Sequence, residues 1–321
     1  MKRLNNLYPN IYKLENLIEC FNEVKKNTNS KTRVENLTAY KNIYISRIHK
    51  ILKEKTYTMG NAIIFTIHDP KERKIVSLNL QDKIVNHLVA RYILYPAILP
   101  CLLDVNVASR KNLGTSRGLE FANKFKNKCK IKYGEYYILK CDISKFFASI
   151  NHDILKKKIC KKIKDKDALN IIFHIIDSYE DGLSIGAMTS QVLAIFYLND
   201  MDHFIKEELK IKYYVRYQDD FLLFHESKEY LKYCLKEITK FLAKEKLVLN
   251  KKTRIYKSTN NFLFLGRNSY GKYARYRNVK RKLKKRYFLY KNNKISLNSL
   301  TSSLICYKQL CNKNTIIKFK K

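Results

Sequence analysis

Asp219 and Asp220 are adjacent acids between two β-rich apolar runs, Tyr213-Tyr214-Val215-Arg216-Tyr217 before them and Phe221-Leu222-Leu223-Phe224 after. Such runs around a polar tip read as a hairpin that presents both carboxylates at its turn. Carboxylates held side by side repel each other unless a cation sits between them. A hard divalent ion with oxygen ligands, Mg²⁺ or Mn²⁺, answers that need. An Asp-Asp pair also suits β-turn geometry for local reasons, so the pair alone leaves both readings open.

A third acid, Asp142, ends the strand-like run Tyr136-Tyr137-Ile138-Leu139-Lys140-Cys141-Asp142 and is followed by Phe146 and Phe147. Between the two acidic sites lies a glycine-punctuated loop, Gly182-Leu183-Ser184-Ile185-Gly186, which leads through Ser190-Gln191 into an apolar helix. Upstream, residues 11–26 place Ile11, Leu14, Leu17, Ile18 and Phe21 on one helical face. A second helix is predicted over about 33–55, with Leu37, Tyr40, Tyr44 and Ile48 inward. Two short strands, Phe65-Thr66-Ile67 and Ile75-Val76, flank a basic tip carrying Lys71, Arg73 and Lys74. A helix over 82–94 buries Ile84, Val85, Leu88, Val89 and Tyr92 and gives way to a Pro-bounded segment. Asp200 and Asp202, at the end of the helix after the glycine loop, read as solvated or capping residues.

The chain has 321 residues, enough for one large domain or two to three small ones. Its 45% hydrophobic and 12% aromatic content places it among folded proteins. Sixty-five Lys and Arg against 28 Asp and Glu leave a formal net charge of +37, which implies a polyanionic partner, nucleic acid by default. The imbalance is not uniform, because no acidic residue follows Glu245. Eight cysteines occur without a Cys-x-x-Cys spacing or a matching His cluster, so reduced thiols in a cytosolic protein are expected, with no zinc site. No apolar run of membrane-spanning length and no signal-peptide core are read from the sequence, so a membrane or secreted role is not expected.

A strand with one Asp, a glycine loop and helix, then a hairpin with two Asp: this order resembles the palm of a reverse transcriptase. The resemblance runs motif after motif from about residue 55 to 266. It implies an α+β right-hand polymerase fold with a helical extension over 1–54, fingers over 55–135, a palm of antiparallel sheet plus helices over 136–258, and a primer grip with a short basic helical thumb over 259–321. Asp142, Asp219 and Asp220 would hold two divalent ions, Mg²⁺ or alternatively Mn²⁺. Lys71 and Arg73 would grip the incoming triphosphate, a task for cations. Arg110, near the glycine turn at Gly114, would meet a template or nucleotide phosphate. Phe147 would pack on the nucleotide sugar and leave no room for a 2′-hydroxyl, with Phe146 in the core. Lys252 matches a lysine near the leaving pyrophosphate, a general-acid position, although lysine is abundant around it. Phe264, Leu265 and Gly266 correspond to the primer grip. Lys280, Arg281, Lys284, Lys285 and Arg286 suit a thumb lying along a duplex backbone.

The glycine loop departs from the commonest pattern. Many reverse transcriptases carry Gln-Gly and then Ser-Pro there, where this chain has Ile185-Gly186 and Ser190-Gln191. That form resembles the enzymes of diversity-generating retroelements and related antiphage reverse transcriptases. Ile185 then implies looser base selection, or it is neutral in packing. The resemblance implies an RNA-dependent DNA polymerase that copies a dedicated structured non-coding RNA into cDNA, in a retroelement or a defence system. Its partners would be the template RNA, the RNA–DNA hybrid, dNTPs, and an accessory protein or a second copy of the chain. Two other classes stay open: a template-independent DNA polymerase of an abortive-infection system, and a non-catalytic RNA-binding protein on the same fold.

Overall fold

Apolar residues at helical spacing build the start of the chain. The computed structural model describes residues 3–28, 30–67, 73–268 and 276–308, and the chain forms two compact units, Met1–Ile255 and Tyr256–Lys321. Helix α1 (Leu14–Lys26) buries Leu17, Cys20, Phe21 and Val24, an i, i+3, i+4, i+7 stripe. The single helix predicted over 33–55 is instead two, α2 (Lys31–Ala39) and α3 (Lys41–Lys53), broken at Tyr40 with φ −103°. The Thr38 hydroxyl donates to the Val34 carbonyl in the last turn of α2 (2.7 Å), a bond that competes with the helix ladder. The break lets Leu37 of α2 and Ile45, Ile48 and Leu52 of α3 join one core, and it leaves Tyr40 outside, 53% exposed.

Strands β1 (Ile63–Ile67) and β2 (Arg73–Ser77) form an antiparallel hairpin with Ile67 opposite Arg73. Lys71 lies outside the described residues. Helix α4 (Leu80–Val89) starts where the Asn79 side chain accepts the Asp82 N–H. It continues through a π-turn at Ala90–Leu94 into α5 (Tyr95–Ile98) and a 3₁₀ turn at Leu99–Cys101. Pro96 has no N–H and its ring would clash with the carbonyl four residues back, and the wider π-turn accommodates it without ending the helix. The stretch Leu80–Cys101 is therefore long and apolar enough to cross a membrane by length and composition, contrary to the sequence reading. Here Ile84, Val85, Leu88, Val89, Ile93 and Leu94 are completely buried in the core of the first unit.

Next come α6 (Thr115–Tyr133), β3 (Tyr137–Asp142), α7 (Phe146–Ser149), α8 (His152–Cys160), α9 (Lys166–Asp177), α10 (Met188–Tyr197) and α11 (Asn199–His203). The hairpin β4 (Tyr213–Tyr217) and β5 (Asp220–His225), helix α12 (Lys228–Lys244) and strand β6 (Arg254–Lys257) follow. The four strands lie in the order β4-β5-β3-β6. On one face, Phe125 of α6 packs against Tyr213 and Phe224, with ring centroids 5.5 and 6.1 Å away. The opposite face buries Leu139, Cys141, Phe221 and Leu223 completely, and α12 lies on β3 and β5. Helix α6 thus covers the part of its face remote from the β4–β5 turn.

Of the two acids after α10, Asp200 is exposed as expected and ion-paired, whereas Asp202 is not solvated. Asp202 is completely buried and paired with Arg216 (2.5 Å), and Asp200 pairs with Lys158 (2.8 Å), which also meets Glu245 (3.0 Å). Their partners stand on strand β4 and helix α8, too distant in sequence for local patterning to pair them.

In the second unit, β7 (Leu263–Phe264) and β8 (Arg267–Asn268) form a short hairpin whose turn residues Leu265 and Gly266 have φ of 49° and 78°. Helices α13 (Tyr276–Lys291) and α14 (Leu297–Lys308) follow. They bury Leu283 and Leu300, and the Arg286 guanidinium donates to Ser299 Oγ (3.1 Å).

The base of the β1–β2 hairpin hangs on one carboxylate. Buried Asp82 accepts from the Tyr57 hydroxyl (2.9 Å), the Gly60 N–H (3.0 Å) and Asn79 Nδ2 (2.8 Å). Asp82→Ala removes a charged acceptor from three donors and is expected to cost about 3 kcal/mol. Denaturant unfolding measures this, and a loss below about 1 kcal/mol would show that the three donors find water instead.

Candidate active site

The register of the four-stranded sheet brings the acids together. Asp142, the last residue of β3, is the cross-strand partner of Asp220, the first residue of β5. Directly opposed side chains in such a ladder have Cβ atoms about 5 Å apart. Asp219 occupies the turn just before, next to Gln218, whose φ is 54°. Beyond Asp142 the chain is held by the segment after α12: Asn250 N–H donates to the Asp142 carbonyl (2.7 Å) and Ser144 N–H to the Val248 carbonyl (2.8 Å).

Among the three acids, Asp220 is perturbed. The Asp220 pKa is pushed up from 3.8 to about 6, first by burial, with Asp142 and Asp219 acting in the same direction and Lys140 opposing them. The Lys140 ammonium pairs with Asp220 Oδ1. Sequence reading missed Lys140, although its position two residues before Asp142 puts both side chains on one face of β3. That spacing is the signal by which it could have been found.

The glycine loop completes one wall. Gly182 has φ 58°, and a Cβ there would lie 2.2 Å from the Phe147 carbonyl oxygen, so no larger residue fits. The Leu183 N–H donates to that oxygen (2.8 Å), and a His152 ring nitrogen is 2.6 Å from the Gly182 carbonyl. The loop therefore rests on α7 and orients Phe147, which stays half-buried while Phe146 is 2% exposed. Farther along, the Val76 N–H donates to the Ile185 carbonyl (3.1 Å), and a Cβ on Gly186 would approach the Val76 carbonyl oxygen to 2.8 Å. Strand β2 is thus tied directly to the loop.

The remaining predicted residues are placed less uniformly. Arg73 is exposed at the start of β2, Gln191 is exposed on the first turns of α10, and Lys252 is exposed two residues after Asn250. Arg110 is turned into its own loop, where Nη1 donates to the carbonyls of Leu103 and Asn106 (3.0 Å each) and Nη2 lies 3.6 Å from Asp104. In the second unit Phe264 is buried, Leu265 and Gly266 make the β7–β8 turn, and Arg281, Lys284, Lys285 and Arg286 are exposed on α13, the helix that also contains Lys280.

Among the described residues no three His, Cys, Asp or Glu side chains are closed into a metal cage. The chemistry of the donor set nevertheless fits a hard divalent ion, because all three acids supply carboxylate oxygens. Asp142, Asp219 and Asp220 are the residues that could hold such an ion.

A carboxyl whose folded pKa exceeds its unfolded value binds more protons folded than unfolded between the two. Stability from Asp220 is therefore full below about pH 4 and lost as the pH rises through about 6. In metal-free buffer the Asp220→Asn variant should gain in unfolding free energy relative to the unaltered protein across that window. Paired denaturation curves from pH 4 to 7 test this, and a difference that stays flat refutes the perturbed Asp220.

Over residues 67–268 the sequence matches the family Reverse transcriptase (RNA-dependent DNA polymerase). The putative COX1/OXI3 intron 1 protein of Saccharomyces cerevisiae is 21% identical over 229 residues, 64% of this chain. The chain spans only 26% of that relative's length. Among solved structures it is similar to telomerase from Candida albicans in complex with a TWJ fragment of telomeric RNA, at 15% identity and a TM-score of 0.49, covering 71% of this chain and 47% of that one. Telomerase from Candida tropicalis in complex with a TWJ fragment of telomeric RNA is 18% identical with a TM-score of 0.49, covering 79% of this chain and 53% of that one. The family match takes in more than half of the chain, including the palm sheet and all three acids. With its α+β fold and this match, the chain belongs to the reverse transcriptase (RNA-dependent DNA polymerase) family.

Proposed function

We propose that this protein is an RNA-directed DNA polymerase that extends a primer by nucleotidyl transfer at Asp142, Asp219 and Asp220. The observation that carries the reading is the register pairing of Asp142 with Asp220, with Asp219 on the adjoining turn. Two bound divalent ions would activate the primer 3′-hydroxyl and neutralise the triphosphate. The protein's own part is positioning: the acids fix the reacting end, Phe147 limits the sugar, and Arg73 on β2 meets phosphate charge. The exposed cations of α13 give a surface for a nucleic-acid backbone.

The substrate we propose is a structured non-coding RNA, copied into cDNA within a retroelement or an antiphage system. The Ile185-Gly186 and Ser190-Gln191 form of the loop supports that setting, as does a relative named as an intron protein. Cys20, Cys101, Cys129, Cys141, Cys160 and Cys234 are free thiols, which supports a reducing, cytosolic compartment.

Two measurements test the reading. Replacing Asp219 and Asp220 together by Ala should abolish dNTP incorporation on a primed RNA template while RNA affinity stays within about threefold; synthesis by that variant would remove the active-site assignment. Phe147→Ala should raise ribonucleotide incorporation by about tenfold or more, since the ring volume facing the 2′-hydroxyl is gone. Unchanged selectivity in an active Phe147→Ala protein places the sugar gate elsewhere.

A further inference from the structure

On the face of the sheet opposite the acids, Arg216 of β4 is completely buried. Four donations leave its guanidinium. Nε and Nη2 reach the two oxygens of buried Asp202 (2.7 and 2.5 Å), Nη2 also reaches the Ile195 carbonyl (3.1 Å), and Nη1 reaches the Gln218 carbonyl (3.0 Å). Asp202 Oδ1 accepts the Tyr214 hydroxyl as well (2.6 Å). Burial alone would depress the guanidinium pKa, but Asp202, with Tyr214, more than reverses this and leaves it raised.

Filling the space does not require charge. Desolvating two such ions costs several kcal/mol each, and an apolar filling of similar volume commonly serves stability as well or better. An apolar filling cannot donate to the Gln218 carbonyl. Gln218 sits in the left-handed region at φ 54°, a conformation costing about 1 kcal/mol or more in a residue with a Cβ. Asp219 and Asp220 are the next two residues. The turn is also held by Gln218 Nε2 donating to Ser109 Oγ (2.8 Å). The main chain of Arg216 is fixed in turn: its N–H donates to the Val105 carbonyl (2.9 Å) and its carbonyl accepts the Val107 N–H (3.0 Å).

We propose that Asp202 and Arg216, with Tyr214, are positioning residues that fix the Gln218–Asp219 turn so that the carboxylates of Asp219 and Asp220 meet Asp142 in reactive geometry. This rests on the reading of those three acids as the catalytic set. A purely structural pair would affect folding alone. A positioning pair controls turnover after folding and substrate binding are intact.

The test compares the full chain with three variants: Arg216→Met combined with Asp202→Leu, Arg216→Lys, and Asp219→Ala combined with Asp220→Ala. The measurements are thermal melting, steady-state primer extension on an RNA template with Mg²⁺, and calorimetric Mn²⁺ binding. The apolar pair is expected to melt within about 5 °C of the unaltered protein. Its KM for dNTP should stay within about threefold while kcat falls about 30- to 100-fold, the scale of a small misplacement of reacting groups. Its Mn²⁺ affinity should fall about tenfold, the scale on which residues that orient metal ligands act. Arg216→Lys keeps Asp202 neutralised but loses the planar fork, and should show the same split. Unaltered kcat in either folded variant overturns the proposal, and if the apolar pair fails to fold, Arg216→Lys alone decides. Synthesis by the double-alanine variant marks a different failure, that of the active-site reading, and takes this proposal with it. Loss of synthesis there, with normal kcat in the positioning variants, leaves the site standing and removes only the positioning role.

Discussion

Like charges held close together at one end of the sheet set the main constraint on this fold. Asp142 and Asp220 face each other across adjacent strands, and Asp219 adjoins them. Nothing in their mutual interaction favours assembly; burial and the neighbouring carboxylates together raise the Asp220 pKa to about 6. The gathering is held by what surrounds it. The β3–β5 ladder fixes two of the acids in register, the chain after α12 holds the main chain at Asp142, and the Lys140 ammonium supplies positive charge beside Asp220. A site assembled against repulsion draws cations strongly, and that property suits a centre where negative phosphates must approach.

The glycine loop shows how the same scaffold joins separate parts of the first unit. At Gly182 the loop lies against the backbone of α7, and at Gly186 against β2. Both approaches are closer than a Cβ permits, and both residues have positive φ. The loop thus links the strand that carries Arg73 to the helix that carries Phe147, using main-chain contacts rather than side-chain packing. Side chains lining this wall can then vary without loosening it, and Ile185 is one of them, since its carbonyl makes the bond to β2.

Legibility in the sequence followed the range of the interactions. The β4–β5 hairpin was readable because its pattern is local: apolar β-formers on both sides of a polar tip. The same holds for α1, whose stripe repeats at helical spacing. The break at Tyr40 was not readable, because a helix through 33–55 satisfies the apolar period and only the tertiary position of Leu37 and Ile48 demands two segments. Pro96 marks a boundary by local pattern, but a π-turn absorbs it and the apolar helix runs on to Cys101. Arg110 illustrates a different limit. A motif places it near a glycine turn, but the carbonyls of its own loop claim the guanidinium, and no spacing rule shows that competition.

Asp202 marks the sharpest divergence between pattern and structure. Next to Asp200 at a helix end it reads as a surface acid, yet it is 0% exposed and Asp200 is not. The missing information is the identity of its partner. Arg216 interrupts the apolar run of β4 at a position facing inward, and an inward arginine requires a buried acceptor. With Asp220 and Val215 on one face of the hairpin, Arg216 must point to the other, where α10 and α11 pack. The acids in front of the sheet and the ion pair behind it therefore share one strand alternation. A one-residue slip of β4 against β5 would send Arg216 toward the acids and leave Asp202 buried without a partner. The ion pair thus helps to specify the register on which the palm depends.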